Sequence, residues 1–246
     1  MNKGKIFTDL FGKQFRFAGD DVKNDILTKY PKTGDLAQIY SENQGATVHK
    51  WHHYIPIYER YFSRFRDKPV RFLEIGVSKG GSLQIWRNYF GKSATIYGID
   101  VNPNCAKLNG QAGQVRIGSQ DDPTFLQSVV QEMGGVDVIL DDGSHHMDHV
   151  GKTLDILFPL MSEGGVYMIE DLHTAYWERW GGGYNVEQNF FNKVTAMVSD
   201  LHRWYHKEPV KLPHMTGFVS GIHIHDSITV IDKDNTYRPT HSQVGK

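Results

Sequence analysis

The chain has 246 residues, with 27 Lys and Arg against 28 Asp and Glu and a formal net charge of −1. That balance argues against a general nucleic-acid binder, which carries a marked basic excess. A hydrophobic share of 39% beside 22% charged residues excludes disorder as the dominant state.

The single cysteine, Cys105, allows neither an intrachain disulfide nor a thiolate zinc site, so the expected location is cytoplasmic. No segment approaches the roughly 20 apolar residues of a membrane span, and Lys3 and Lys5 are not followed by the apolar run of a signal peptide. Thirteen histidines are an unusual number for this length.

In chain order, residues 1–34 read as a mixed arm, and Asp35–Phe65 takes on a helical pattern. There Tyr54, Tyr58, Tyr61, Phe62 and Phe65 share one face, with Pro56 tolerable in a first turn. Asp67–Pro69 breaks the chain, giving an N-terminal helical arm or cap over 1–66 and a core over 67–246. Strands are then predicted at Val70–Ile75, Ala94–Ile99, Gln114–Ile117, Val136–Leu140 and Gly165–Ile169. Helices are predicted between them at Ser82–Phe90, Pro123–Glu132 and Met147–Leu160. This alternation implies an α/β fold, with a mostly parallel sheet covered by helices on both faces. Val186–Tyr205 reads as one amphipathic helix, with Phe190, Val194, Met197, Val198, Leu201 and Tyr205 on a common face. Two last strands, Phe218–Ile224 and Ile228–Ile231, are joined so closely that only an antiparallel hairpin fits. The total is seven strands.

The first strand runs into Glu74-Ile75-Gly76-Val77-Ser78-Lys79-Gly80-Gly81-Ser82. Glycines permit a tight turn and close approach to a ligand, and the following helix offers free N–H groups. The spacing matches neither Gly-x-Gly-x-x-Gly nor a P-loop. Asp100, at the end of the second strand, can accept hydrogen bonds from both hydroxyls of a ribose. An ordinary strand-to-helix turn beside a solvated Asp is the plainer alternative.

Together the glycine turn, Asp100 and the terminal hairpin resemble the class I S-adenosylmethionine-dependent methyltransferases, over roughly Val70 to Lys233. The resemblance implies a Rossmann-like fold. It also implies that Glu74, Gly76, Gly80 and Ser82 belong to the turn holding the methionine part of S-adenosyl-L-methionine, that Asp100 holds the ribose, and that Ser119, Gln120 and Asp121 stand where the adenine is contacted.

Strand four ends in Asp141-Asp142-Gly143-Ser144-His145-His146, and strand five runs into Glu170-Asp171-Leu172-His173. Ligands of open parallel sheets bind outside the carboxyl ends of the strands. Carboxylates crowded there raise one another's pKa or demand a cation, and oxygen donors favour a hard ion such as Mg²⁺. Helix caps or partners of Lys and Arg are the plainer fate of such acids. Side chains alternate along a strand, so adjacent acids need not face the same way.

These two motifs resemble the metal-dependent sugar O-methyltransferases of macrolide and polyketide tailoring, of the mycinamicin and rhamnosyl type. The resemblance implies Asp142, Glu170 and Asp171 as Mg²⁺ ligands, His145 as general base with Asp142 beside it in catalysis, and Asp141 facing the cofactor. It further implies a homo-oligomer and a hydroxylated, glycosylated small-molecule acceptor, with no nucleic acid or membrane partner. The family carries a large N-terminal domain with no counterpart in these residues.

Three further readings stay open. His145-His146-x-Asp148-His149 can instead supply imidazoles to zinc. The aromatic, glycine-rich stretch Tyr176–Tyr184 is either a lid or a surface loop. The segment 45–54 carries Thr47, His49 and His53 toward the site, unless these are structural residues. Rival functions are a cephalosporin-hydroxylase-like relative and a non-catalytic nucleotide-binding module with a structural metal.

Overall fold

A computed structural model describes residues 15–245; Lys3, Lys5 and the beginning of the expected arm lie outside the described residues. Seven strands form one sheet: β1 (Arg71–Ile75), β2 (Thr95–Asp100), β3 (Gln114–Ile117), β4 (Val136–Asp141), β5 (Met161–Ile169), β6 (Val219–His225) and β7 (Ile228–Lys233). Their order is β3-β2-β1-β4-β5-β7-β6. The first five are parallel, and β7 runs antiparallel between β5 and β6. His225 pairs with Ile228, leaving Asp226 and Ser227 as the turn, where Ser227 takes a left-handed φ of +64°.

Helices α1 (Val22–Lys29), α2 (Leu36–Ser41), α3 (Tyr54–Phe62) and α4 (Gly81–Phe90) precede β2; α5 (Pro123–Met133), α6 (Met147–Leu157) and α7 (Phe190–Leu201) follow β3. The period-2 alternation of the strands sorts the core into two layers. Phe72, Leu140 and Met168 pack with Tyr58, Phe62 and Trp86 of the early helices. Leu73, Ile139, Tyr167 and Ile169 pack with Leu126, Leu154 and Val194 of the later ones. Ile26, Leu36 and Tyr54 join the first layer, so the N-terminal helices share a core with the sheet. No helix among the described residues is long and apolar enough to cross a membrane.

Several boundaries differ from the expected ones. The pattern over Asp35–Phe65 divides into α2 and α3, because the Asn43 side chain binds the backbone of Gly45 and Ala46 and draws residues 42–53 out of helix. Helix α7 starts at Phe190 rather than Val186, since Asn189 accepts from the Phe191 N–H as its N-cap. Val198 falls off the buried Phe190, Val194 and Met197 stripe and is exposed, and a 3₁₀ turn at Arg203–Tyr205 takes Tyr205 off it as well. Helix α6 stops at Leu157, before a 3₁₀ turn containing Pro159.

Candidate active site

The carboxyl ends of β1, β2, β4 and β5 surround a cavity of about 390 Å³. A cavity of that size suits a small ligand. One end is the glycine turn. Gly76 has φ +95°, and a Cβ there would stand 2.1 Å from the Asp142 carbonyl oxygen, so only glycine fits. Gly80, at φ +82°, leads into α4, and Gly81 and Ser82 bring its N-terminus to the cavity. Asp100 lines the wall while its carboxylate accepts the N–H groups of Val77 (3.0 Å), Ser78 (2.9 Å) and Asn102 (2.8 Å). Those bonds fix the turn: Oδ2 takes two of them and Oδ1 one, which leaves Oδ1 a lone pair for a hydroxyl donor.

The other end is acidic. Asp142, His145, Glu170 and Asp171 line it together with Lys50, Trp51 and Tyr54. His145 and Asp171 both hold φ of +56°, left-handed strain of a kind that concentrates at functional sites. His145 Nε2 lies 3.8 Å from Asp142 Oδ1 and 3.7 Å from Asp171 Oδ2. The donor atoms of these three residues fall within 4.8 Å of one another, a spacing that can hold a cation. The Tyr54 hydroxyl donates to Asp171 (2.7 Å), and Tyr58 donates to Glu170 (2.6 Å).

Glu170 is buried and its pKa is pushed well up, by burial first and by Asp142 next, with Lys50 opposing. Burial also acts to raise Asp171, but His145, His173 and the Tyr54 hydroxyl together hold it below the usual range. Lys50 sits among these acids. Burial alone would lower its pKa, but Asp142, Glu170 and Glu74 outweigh it and raise it, so the ammonium is firmly charged.

Not every predicted residue reaches the cavity wall. Strand alternation sends Asp141 the opposite way from Asp142. Its carboxylate is buried against the Gln120 amide (3.3 Å) and the Tyr167 hydroxyl (3.2 Å), and burial raises it to about 6. Asp141, expected to face the cofactor, is buried and does not line the cavity. Gln120 is spent on Asp141, Thr153 and the Ser144 N–H, while Ser119 donates to Asp121; none of the three lines the cavity. Glu74 is fully buried beneath the floor, accepting from Ser82 (2.6 Å) and Trp86 (3.1 Å), and meets the cavity only through Ser82. The zinc arrangement is not assembled: His149 turns to Ser144, and His145 is the one imidazole that joins acids in a metal-sized group among the described residues.

Thr47 and His49 do line the cavity, whereas His53 turns to the Asp226 carbonyl and His173 to Ser227. The stretch Tyr176–Tyr184 folds into short 3₁₀ turns tied down by the Asn189 amide, which donates to the carbonyls of Ala175 and Gly183 (2.9 Å each), and it stands outside the cavity wall.

Comparison with known proteins now adds to the geometry. Residues 73–172 match the family described as a methyltransferase domain. The chain carries a methyltransferase domain. Among its relatives is the 8-demethyl-8-(2-methoxy-alpha-L-rhamnosyl)-tetracenomycin-C 3'-O-methyltransferase of Streptomyces olivaceus, 34% identical over 82% of this chain and 54% of the relative. Another is the mycinamicin VI 2''-O-methyltransferase of Micromonospora griseorubida, 32% identical over 81% of this chain and 52% of the relative. The chain thus spans about half the length of the relatives it matches. A solved structure of the MycE methyltransferase from the mycinamycin biosynthetic pathway, in complex with Mg, SAH and mycinamycin VI, superposes with a TM-score of 0.71 at 27% identity. It covers 83% of this chain and 54% of that one. The methyltransferase domain therefore has the Rossmann-like fold expected from its strand pattern.

The residues that sequence reasoning missed are Lys50, Tyr54 and Tyr58 as partners of the acids. The helical period marked the two tyrosines as buried without showing where their hydroxyls end.

Proposed function

We propose that this chain is a Mg²⁺-dependent O-methyltransferase. In this reading it moves a methyl group from S-adenosyl-L-methionine to a hydroxyl of a glycosylated small molecule, a deoxysugar of a macrolide or polyketide. The observation that carries the reading is one cavity with a backbone-built glycine turn and Asp100 at one end, and Asp142, His145 and Asp171 converging at the other. The named activities of the relatives support the acceptor class. The segment from residue 67 onward serves as the catalytic core, and residues 47–54 before it supply one wall.

The donor set fits a hard divalent ion. Three carboxylates, of Asp142, Glu170 and Asp171, face one ammonium, which leaves the cluster short of positive charge. Such an ion, when bound, supplies Lewis acidity toward an acceptor hydroxyl. Asp142, Asp171 and Glu170 are the residues to hold it, because magnesium prefers oxygen over imidazole nitrogen. His145 is then left to accept the hydroxyl proton at Nε2 as general base, the usual role of an imidazole. Asp100 orients the ribose of the methyl donor, and the glycine turn lets its methionine part approach the backbone. Much of the rate gain comes from holding the two reactants in line.

Incubating the protein with S-adenosylmethionine, Mg²⁺ and a panel of glycosylated macrolides and polyketides bearing free sugar hydroxyls tests the reading. A methylated product seen by mass spectrometry, and lost on chelation, is expected. Absence of calorimetric binding of S-adenosylmethionine would sink it. Binding without transfer across the panel favours the non-catalytic module.

A further inference from the structure

Lys50 occupies the acid cluster as a resident cation. Its Nζ lies 2.5 Å from Asp142 Oδ2, 3.0 Å from Glu170 Oε1 and 2.9 Å from Glu170 Oε2, which uses all three ammonium hydrogens. The Lys50 side chain is 5% exposed and that of Glu170 is 2% exposed, so this pair is withdrawn from solvent, whereas Asp142 is 22% exposed on the cavity side. Tyr58 takes a further lone pair of Glu170 Oε1. Glu170 Oε1 is therefore fully occupied by protein donors and Oε2 is held by the ammonium, while Asp142 Oδ1 and Asp171 Oδ2 are left facing His145.

The delivery of Lys50 is built into the fold. The Ala46 N–H donates to Gln84 of α4 (2.9 Å), and a Cβ on Gly81 would stand 2.3 Å from the Thr47 carbonyl oxygen, so the segment lies directly on the helix start. The Tyr40 hydroxyl donates to the Lys50 carbonyl (3.2 Å) and lies 3.3 Å from the Lys50 N–H. The backbone is pinned, and the flexible four-carbon stem alone decides where the charge sits. An ammonium and a divalent ion held on the same carboxylate oxygens repel one another, so each weakens the binding of the other.

We propose that Lys50 is a built-in competitor for the divalent ion: its ammonium holds Asp142 and Glu170, and the ion gains Glu170 as a ligand only by expelling it. This rests on the metal reading above and adds a residue that sets metal affinity to the acids themselves. The protein then keeps its acid cluster partly neutralised without metal, at the cost of weaker metal binding.

The test is a Mn²⁺ titration of the full chain, with free ion counted by electron paramagnetic resonance, for wild type and for Lys50→Met. The variant is expected to bind Mn²⁺ about tenfold more tightly or better, since one positive charge has left the site. Equal or weaker binding would overturn the inference while leaving methyl transfer untouched. No binding to either protein would overturn the metal reading and this inference together. Should Lys50→Met fail to fold, ¹⁵N-lysine-labelled wild type gives the same answer. The buried ammonium signal is expected to shift or vanish on saturation with Mg²⁺, and an unaltered signal would refute displacement.

Discussion

At the glycine end of the cavity, the groups offered to a ligand are mainly backbone, and their placement follows from positive φ at Gly76 and Gly80 and from Asp100 clamping three N–H groups. At the acid end every group is a side chain, drawn from the ends of β4 and β5 and from residues 50–58 far away in sequence. The first end is fixed by the fold and has little to adjust. The second is a charge balance in which each carboxylate depends on a partner that can move or be exchanged. Under the proposed function, donor and acceptor would meet walls of different character, and substitutions at the two ends are expected to fail in different ways.

The sharpest division is expected at His145. His145→Ala removes the imidazole but leaves the glycine end intact, so turnover should fall by roughly 100- to 10,000-fold. Calorimetric affinity for S-adenosylhomocysteine should stay within about twofold of wild type, given additivity between separated sites. Turnover near the wild-type level would remove His145 from the chemistry. A parallel loss of donor affinity would show that the two ends are not separable.

Asp100→Ala is the converse experiment. It strips hydroxyl acceptors and the clamp on Val77, Ser78 and Asn102. Donor affinity should weaken by about 10- to 100-fold, the scale of lost hydrogen bonds to a charged group. Mn²⁺ binding at the far end should be unchanged. Donor affinity equal to wild type would move the donor away from this wall.

How much of this was legible beforehand divides along the same line. The glycine turn, Asp100 and the hairpin are local patterns: a strand, a turn and a short link each declare themselves within a few residues. The acid pairs at the ends of β4 and β5 were equally visible, and alternation warned that Asp141 and Asp142 would part company. What spacing could not show was which of the two turned inward, since that depends on helices packing each face: Asp141 fell on the Tyr167 face and Asp142 on the Tyr58 side. Lys50 was invisible as a partner because it lies 92 positions from Asp142 and 120 from Glu170, and only the fold joins them. The long helix expected over Asp35–Phe65 hid it further, because the turn at Asn43–Ala46 had to break that helix before Lys50 could reach the site.

Glu74 offers the subtlest test, because it lies beneath the floor that joins the two ends. Burial pushes its carboxyl up to about 7, against the opposing pull of Lys50 and of the Ser82 and Trp86 hydrogen bonds. A carboxyl whose folded pKa is raised binds more protons folded than unfolded. Its effect on stability is therefore neutral below the unfolded pKa and grows unfavourable as pH rises through the window up to about 7, levelling off above it. Glu74→Gln cannot ionise, and its amide can still accept from Trp86 and donate to Ser82 Oγ. Relative to wild type, the variant should gain about 2 kcal/mol between pH 5 and pH 8 in urea unfolding without added divalent ion. A stability difference that stays flat with pH would mean that Glu74 keeps its charge in the fold. Its negative charge would then join those at the acid end, and the floor would be part of the cation site rather than a neutral support for the glycine turn.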